Sequence, residues 1–319
     1  MNRKVLFTLA CMVLVTASLL AVLLGCSHDP EPGEVFNILS GTDIVSPSLV
    51  SVQSVSSSII RLEFSEPVRV YGTSFEPLGA REDGKFIYVS LNTTLKPGTQ
   101  SDIHGRVRDY SGNTTGFTIQ VWGYNPDLPE ILINEFTTKG TAKSPDRTEL
   151  RVMGSGNING MTLYNGVPDN FDSYVVFGDM DVRAGDMIVV WWTEELPDHV
   201  AAEGGIDICA ESGEGLPSNN GAIVLCGTPA LGADVLDAVV YSNFSASYDG
   251  YGTRSAMERA LWVIDSGAWE GDPLDSTSST ATRSMGRLPD GRDSDCSTDW
   301  IVTVTGGSTF GAPNSSEAY

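Results

Sequence analysis

Histidines that could act as a catalytic base are few in this sequence, whereas carboxylates are so plentiful that any one pair is weak evidence of an active site. The three histidines, His28, His104 and His199, are far apart along the chain. A serine hydrolase needs a base held beside its nucleophile. The sequence contains no nucleophile elbow, HExxH zinc motif or phosphate-binding loop. We therefore predict a protein without enzymatic activity and without catalytic residues.

One acidic segment has oxygen donors at a spacing that could hold a cation. Asp290, Asp293 and Asp295 surround a glycine turn, and carboxylates arranged in this way can wrap Ca²⁺. The segment lacks the later bidentate glutamate of an EF-hand, and Arg292 stands inside it. We expect a solvated acidic turn and no cofactor, with a weak calcium site as the alternative.

The cysteines could form a disulfide or remain as buried thiols. No Cys-x-x-Cys or Cys/His spacing points to zinc, so we predict no metal site of that kind. Cys209 and Cys226 each end a predicted strand, and an exported chain can keep disulfides. We predict that these two pair, with two small buried thiols as the alternative. Cys296 would then be unpaired.

Aromatic side chains provide a candidate binding surface. Adjacent residues on a strand point to opposite faces, so one ring of the pair Trp191-Trp192 should face outward. We expect such rings to pack inside the core or between domains, as large aromatic side chains usually do. The alternative is a binding surface formed by Trp192, Tyr248, Tyr251 and Trp269, able to stack on a sugar or pack against a partner.

The first 25 residues have the organisation of an export signal. Arg3 and Lys4 precede the apolar run Val5–Leu24, and a basic tip followed by an apolar run is typical of a secretory leader. A run of this length could also span a bilayer as an uncleaved helix. The polar, proline-containing residues that follow Cys26 favour cleavage.

The end of this leader, Leu23-Leu24-Gly25-Cys26, resembles the lipobox of bacterial lipoproteins. That resemblance implies that residues 1–25 are removed and that Cys26, acylated, becomes the first mature residue and the membrane anchor. Residues 26–42 would form a flexible tether. Ser27 differs from the aspartate that retains such proteins at the inner membrane, which favours an outer-membrane location in the cell envelope.

The net charge limits the partners. The chain has 19 Lys and Arg against 41 Asp and Glu, a net charge of −22. Such a surface should repel phosphate backbones and anionic headgroups. We predict no nucleic-acid partner and expect membrane contact only through the acyl chains on Cys26.

Residues 43–123 alternate apolar and polar side chains, as half-buried strands do. Several glycine and proline turns separate them, which predicts a small β-sandwich. The segments Phe64–Val68 (F-S-E-P-V) and Asp109–Asn113 (D-Y-S-G-N) resemble the bacterial Ig-like domain of surface-layer and adhesion proteins. That resemblance implies an Ig-like fold used as a spacer.

Residues 129–316 show a second series of about nine strands, so the fold class we predict is all-β, with two tandem sandwiches. Eight ordered blocks resemble the lamin tail domain, which implies an Ig-like sandwich. The blocks are I-L-I-N-E-F (131–136), E-L-R-V (149–152), N-I-N-G-M-T-L-Y (157–164), R-A-G-D-M-I-V-V (183–190), N-N-G-A-I-V-L (219–225), V-L-D-A-V-V-Y (235–241), S-M-G-R-L-P-D-G (284–291) and D-W with F-G-A-P-N (299–300 and 310–314).

Two loop insertions, 193–219 and 243–283, lengthen this segment beyond that family's core. In the second, Met257, Ala260, Leu261 and Ile264 recur at helical spacing, and Ser255 with Glu258 has the form of a capping box. Because loops on a rigid scaffold often carry recognition, we expect the binding surface at the second insertion.

These features predict a membrane-anchored, exported lipoprotein that acts as a non-enzymatic binding or envelope-scaffold module for an unknown protein or glycan. The alternative is an accessory module that positions an envelope-associated hydrolase.

Overall fold

The computed structural model describes residues 43–71, 79–196 and 205–319, and their regular structure is almost wholly β-strand. The predicted all-β fold class is therefore confirmed. In chain order the strands are β1 (Leu49–Ser56), β2 (Ile59–Phe64), β3 (Val68–Val70), β4 (Gly79–Asp83), β5 (Phe86–Ser90), β6 (Gln100–Asp109), β7 (Thr114–Trp122), β8 (Ile131–Thr137), β9 (Arg147–Val152), β10 (Gly156–Asn157), β11 (Thr162–Val167), β12 (Asn170–Val176), β13 (Asp181–Val182), β14 (Met187–Trp191), β15 (Ile206–Cys209), β16 (Gly221–Cys226), β17 (Val235–Ser242), β18 (Leu274–Asp275), β19 (Met285–Arg287) and β20 (Trp300–Val302).

The N-terminal sandwich consists of β1 to β7. A four-stranded sheet in the order β1-β2-β5-β4 packs against a three-stranded sheet in the order β3-β6-β7. Along β2 the alternation of residues separates the two faces: Leu62 and Phe64 are buried, whereas Arg61 and Glu63 lie on the outer face. This alternation follows from the two-residue period of a strand.

The C-terminal sandwich consists of β8 to β20. A five-stranded sheet, β12-β11-β16-β17-β18, faces a six-stranded sheet, β15-β14-β9-β8-β19-β20, and a small pair, β10-β13, lies beside them. Most pairs are antiparallel, but β14 pairs with β15 and β17 with β18 in parallel. One large hydrophobic cluster extends from Ile131 to Trp300 between the two main sheets. The boundaries 43–123 and 129–316 stay predictions.

One α-helix, α1 (Arg254–Asp265), lies in the second insertion, where the spacing predicts a helix. Its cap differs from the prediction: Thr253 Oγ1 accepts from the Ala256 amide at 3.1 Å. The prediction of a capping box between Ser255 and Glu258 is therefore wrong. Glu258 accepts instead from Arg254, one turn earlier, at 2.8 Å.

The buried face of α1 is also rotated from the predicted one. Ala256, Ala260 and Val263 are buried, whereas Leu261 is 46% exposed. The difference arises because Arg259, a charged residue, lies on the buried face, where its guanidinium donates to both carboxylate oxygens of Asp172 at 2.6 and 2.8 Å.

Several contacts join the two sandwiches directly. The Val52 amide donates to the Leu231 carbonyl at 2.8 Å, and Ala230 from the C-terminal sandwich packs into the core of the N-terminal one. In the connecting segment, Asn125 donates to the carbonyls of Asn157 and Asn159 at 2.7 and 3.0 Å. Main-chain and side-chain contacts therefore fix the position of one sandwich against the other.

Candidate functional site

The predicted lipid anchor, Cys26, and the preceding Leu23-Leu24-Gly25 lie outside the described residues, as do His28 and His199. In the three described ranges, no helix is both long and apolar enough to cross a membrane. His104 is exposed on β6, with its Nδ1 3.1 Å from Thr118 Oγ1.

The predicted calcium segment is organised by an arginine. Carboxylate oxygens of Asp293 and Asp295 lie within 4.8 Å of each other and of an oxygen from Asp237 on β17, whereas Asp290 is not part of this group. The buried guanidinium of Arg287 donates to Asp237 at 3.0 and 3.2 Å and to Asp293 at 2.7 Å. Arg287 thus already provides positive charge to this acidic group.

The sequence pattern does not identify Asp237, because it lies within an apolar strand more than fifty residues before the loop that contains Asp290, Asp293 and Asp295. Its side chain is 3% exposed and also accepts from the Ile133 amide at 2.6 Å. A lone carboxylate between apolar strand residues is the signal that could have identified it, since buried charges are almost always paired.

A second acidic group lies at one end of the N-terminal sandwich. Oxygens of Asp43, Glu66 and Asp109 lie within 4.8 Å of one another. Asp109 is already used by the turn that follows it, where it accepts from the amides of Gly112 and Asn113 at 2.6 and 2.8 Å. The pKa of Glu66 is raised by burial and by the neighbouring carboxylates.

The predicted aromatic surface is largely interior. Trp192 is 2% exposed and donates to Thr148 Oγ1 at 2.9 Å, and Trp269 is 1% exposed. Tyr251 is half-buried, and only Tyr248, half exposed, presents its ring to solvent. The expected outward-facing ring at Trp192 is wrong because β14 ends at Trp191, which is also buried.

The predicted disulfide is not formed. Cys209, Cys226 and Cys296 are all free thiols. Cys209 lies on β15 of the six-stranded sheet and Cys226 on β16 of the five-stranded sheet, so the two strands that they end belong to opposite layers. Burial raises the pKa of Cys226 to about 12.

A buried polar network explains several of the sequence blocks. Asn134 donates to Glu149 at 2.6 Å and to Asn314 Oδ1 at 2.8 Å, and Asn314 donates to the Arg287 carbonyl at 2.6 Å. Burial raises the pKa of Glu149 to about 7 and also raises that of Glu135. Glu149 accepts from the Asn134 side-chain amide and the Gly311 main chain, and Glu135 accepts from Ser284 and Thr309, which is the arrangement expected of a structural network.

An open cleft lies between the two sandwiches. It has a volume of about 530 Å³. One wall is the outer face of β1 and β2, where Gln53 and Arg61 are cross-strand partners. The opposite wall belongs to the C-terminal sandwich and includes Thr228 and Asp234.

The end of β7 and the connecting segment form the third side of this cleft. The lining includes Trp122 from β7 and Tyr124 and Leu128 from the connecting segment, of which Tyr124 is 38% and Leu128 39% exposed. The Ser54 hydroxyl donates to the Trp122 carbonyl and so connects the end of β7 to β1.

The polar groups of the cleft are only partly satisfied. Arg61 Nε and Thr228 Oγ1 are buried without a hydrogen-bond partner among the described residues. Glu63, in contrast, accepts from Lys85 and from Ser51, and the Lys85 hydrogen bond lowers its pKa. The cleft therefore combines an ionised carboxylate with unused donors and two aromatic rings.

Comparison with protein families gives one match, from residue 129 to residue 302, to the family described as "TP_1001_2nd: protein second domain". The match covers more than half of the 319 residues. The chain belongs to this TP_1001 second-domain family. The family match falls on the C-terminal sandwich, so this β-rich sandwich is the part of the protein that the family describes.

Among solved structures, this chain is similar to a DUF4876 family protein from Bacteroides thetaiotaomicron. The two are 11% identical, with a TM-score of 0.34, and the alignment covers 80% of this chain and 94% of the other. No curated protein matches the sequence.

Proposed function

We propose that this protein is an exported, lipid-anchored binding module of the cell envelope that holds a glycan in the cleft between its two sandwiches. The cleft itself is the observation that carries the proposal. Its volume of about 530 Å³ falls within the range of ligand sites in proteins. The anchor is Cys26, and the outer membrane is the favoured location.

The chemistry of the cleft supports a polyhydroxylated ligand. Rings such as Trp122 and Tyr124 offer apolar faces to sugar rings, while Gln53, Arg61 and Asp234 offer donors and acceptors around them. The unsatisfied Arg61 Nε and Thr228 Oγ1 lie at the same cleft. Unsatisfied buried donors cost free energy. A ligand hydroxyl that formed hydrogen bonds with these two groups would remove that cost, and this gain would favour binding.

We also propose a fold family for each of the two sandwiches. We take the N-terminal one as an Ig-like spacer and the C-terminal one as a lamin-tail-like sandwich. In support of the second, three of the sequence blocks meet in one network through Asn134, Arg287 and Asn314. We propose no catalytic step, because Glu135 and Glu149 are sealed in that network.

A glycan array followed by titration of the hits tests the cleft. Arg61→Met should weaken binding about tenfold or more, because a hydrogen bond to a charged group contributes about 1.5–3 kcal/mol. Arg81→Met is the matched control. Arg81 belongs to the same sheet and also lies over an aromatic ring, that of Tyr88, but it does not line the cleft.

Equal affinities of the two variants would refute the cleft as the site. If no glycan bound and cross-linking on intact cells captured an envelope hydrolase, the alternative role as an accessory module would replace this one. The anchor has a separate test: Cys26→Ala should move the protein from the detergent phase to the aqueous phase, and a lipid-labelled mutant would contradict it.

A further inference from the structure

The outer face of the sheet β3-β6-β7 concentrates positive charge in an otherwise acidic protein. Residues 43–123 contain seven Lys and Arg against eight Asp and Glu, whereas residues 129–316 contain ten against 28. On this face Arg69, Arg106 and Arg108 are all exposed. Asp102, also exposed, lies six residues from Arg108 along β6, at the other end of the strand.

Two of the three arginines on this face lie over tyrosine rings. The Arg108 guanidinium lies 4.0 Å from the centre of the Tyr71 ring, and that of Arg69 lies 4.5 Å from the centre of the Tyr110 ring. Tyr110 is 67% exposed. Stacked guanidinium groups keep their N–H edges free for phosphate or carboxylate oxygens.

The placement of two arginines opposite each other is unfavourable for the isolated sheet. Arg69 and Arg108 are direct cross-strand partners, and like charges placed opposite each other destabilise a sheet. Among the described residues, neither takes part in a salt bridge. An external anion would relieve this repulsion.

The path of the chain indicates where that anion lies. The first described residue, Asp43, is held at the turn after β6, where Asn113 donates to its carbonyl at 3.2 Å, and Thr115 donates to the Pro47 carbonyl at 2.5 Å. The same turn carries Tyr110. The tether therefore leaves the sandwich beside the cationic face.

The tether is also short enough to keep this end near the membrane. Sixteen residues lie between Cys26 and Asp43. They span at most about 60 Å when extended and about 20–25 Å as a flexible coil.

We propose that this face, formed by Arg69, Tyr71, Arg106, Arg108 and Tyr110, docks on the anionic headgroups of the membrane that anchors the protein. Arginines near such a surface are attracted to its anionic headgroups, and tyrosine suits the interface between water and lipid. The acidic C-terminal sandwich is repelled by the same surface. The protein would therefore stand with its N-terminal sandwich on the lipid. The proposal depends on the proposed anchor only for the position of the tether.

Chemical footprinting on vesicles tests the docking without the acyl chains. Both hydrophobic cores contain only residues after position 48, so a chain that begins at Ser27 retains them. This chain, with an N-terminal hexahistidine tag, is bound to phosphatidylcholine vesicles that contain a nickel-chelating lipid, with or without about 30% phosphatidylglycerol. Phenylglyoxal then modifies exposed arginines, and mass spectrometry gives the rate at each one.

We expect the rates at Arg69 and Arg108 to fall about threefold or more on the anionic vesicles and to recover in about 0.5 M NaCl, which screens the contact. Arg183, exposed on the C-terminal sandwich, is the internal control and should not change. In the double variant Arg69→Gln/Arg108→Gln, protection of Arg106 should be lost. The circular dichroism spectrum of the variant should match that of the parent, which shows that the variant is folded.

Equal rates at Arg69 and Arg108 on the two kinds of vesicle would overturn the proposal. Protection by soluble alginate but not by the vesicles would also overturn it and would identify an acidic glycan as the ligand instead. Because the tag replaces Cys26, a failed anchor test leaves this result unaffected.

Discussion

Asn134 and Asn314 are 180 residues apart in sequence, yet their side chains form a hydrogen bond of 2.8 Å. Asn314 also donates to the Asn134 carbonyl at 3.0 Å. The pair fixes the C-terminal segment against β8, the first strand of the C-terminal sandwich. Hydrogen bonds between two amides therefore connect the C-terminal segment to β8.

Replacing Asn314 should destabilise the protein. In Asn314→Ala, Asn134 and the Arg287 carbonyl lose partners, and each unsatisfied buried group costs about 1–3 kcal/mol. We expect the free energy of unfolding in urea to fall by about 2–4 kcal/mol. Asn219→Ala, which alters an exposed side chain, should change it by less than about 0.5 kcal/mol. Equal effects would contradict the role of the pair.

Glu149 should make stability depend on pH. Burial raises its pKa from 4.5 to about 7, so the folded state holds a proton that the unfolded state has already released between these values. The stability linked to this proton is present below about pH 4.5 and is lost as the pH rises through about 7.

The variant Glu149→Gln tests this linkage, because glutamine cannot titrate. Relative to the parent, it should gain up to about 1.4 kcal/mol per pH unit between pH 5 and pH 7. Chemical unfolding at a series of pH values measures the difference. Glu130→Gln, at an exposed position, should follow the parent curve; a Glu149→Gln curve parallel to the parent would disprove the linkage.

Arg287 and Asp237 should show strong coupling. Both are buried, 2% and 3% exposed. Arg287→Met leaves the Asp237 carboxylate without its cation, and breaking such a pair typically costs about 3–5 kcal/mol. The double variant Arg287→Met/Asp237→Leu removes the stranded charge and should be more stable than Arg287→Met alone. If the two changes were additive in urea unfolding, the ion pair would have no such role.

The three thiols of the C-terminal sandwich should differ in reactivity. Hydrogen bonds from Ser294 and Thr298 lower the pKa of Cys296, whereas burial raises that of Cys226 to about 12. Because the thiolate is the reactive form, iodoacetamide should alkylate Cys296 first and Cys226 last in the native protein, as peptide mass spectrometry would reveal. Cys296→Ser should remove the fast phase. A linked Cys209–Cys226 peptide in a non-reducing digest would contradict this order.

The second insertion illustrates how far sequence patterns reach. The spacing of apolar residues correctly predicts a helix there, because helical periodicity is a local property. The spacing does not predict that the insertion contributes Val263, Trp269 and Leu274 to the main core. A deletion of 243–283 would therefore test stability rather than binding, and a surface change such as Tyr248→Ala is the suitable probe.

Net charge shows the opposite limit. The value of −22 predicts repulsion from anionic headgroups. Net charge, however, does not say where on the surface the charged residues lie. Folding places Arg69 and Arg108 opposite each other on one outer face, while most acidic residues belong to the C-terminal sandwich. The cationic face results from strand register, which cannot be deduced from composition.

By itself, the sequence determined the all-β fold class and the position of the helix, because the period of alternating side chains is set by residues that are close together in the chain. The export signal and the lipid anchor are predictions of the same local kind. Only the tertiary structure decided that Asp237 meets Arg287, that Trp192 is buried and that Gln53 and Thr228 face each other across a cleft. These contacts depend on which strands become neighbours, and that order results from packing the whole core.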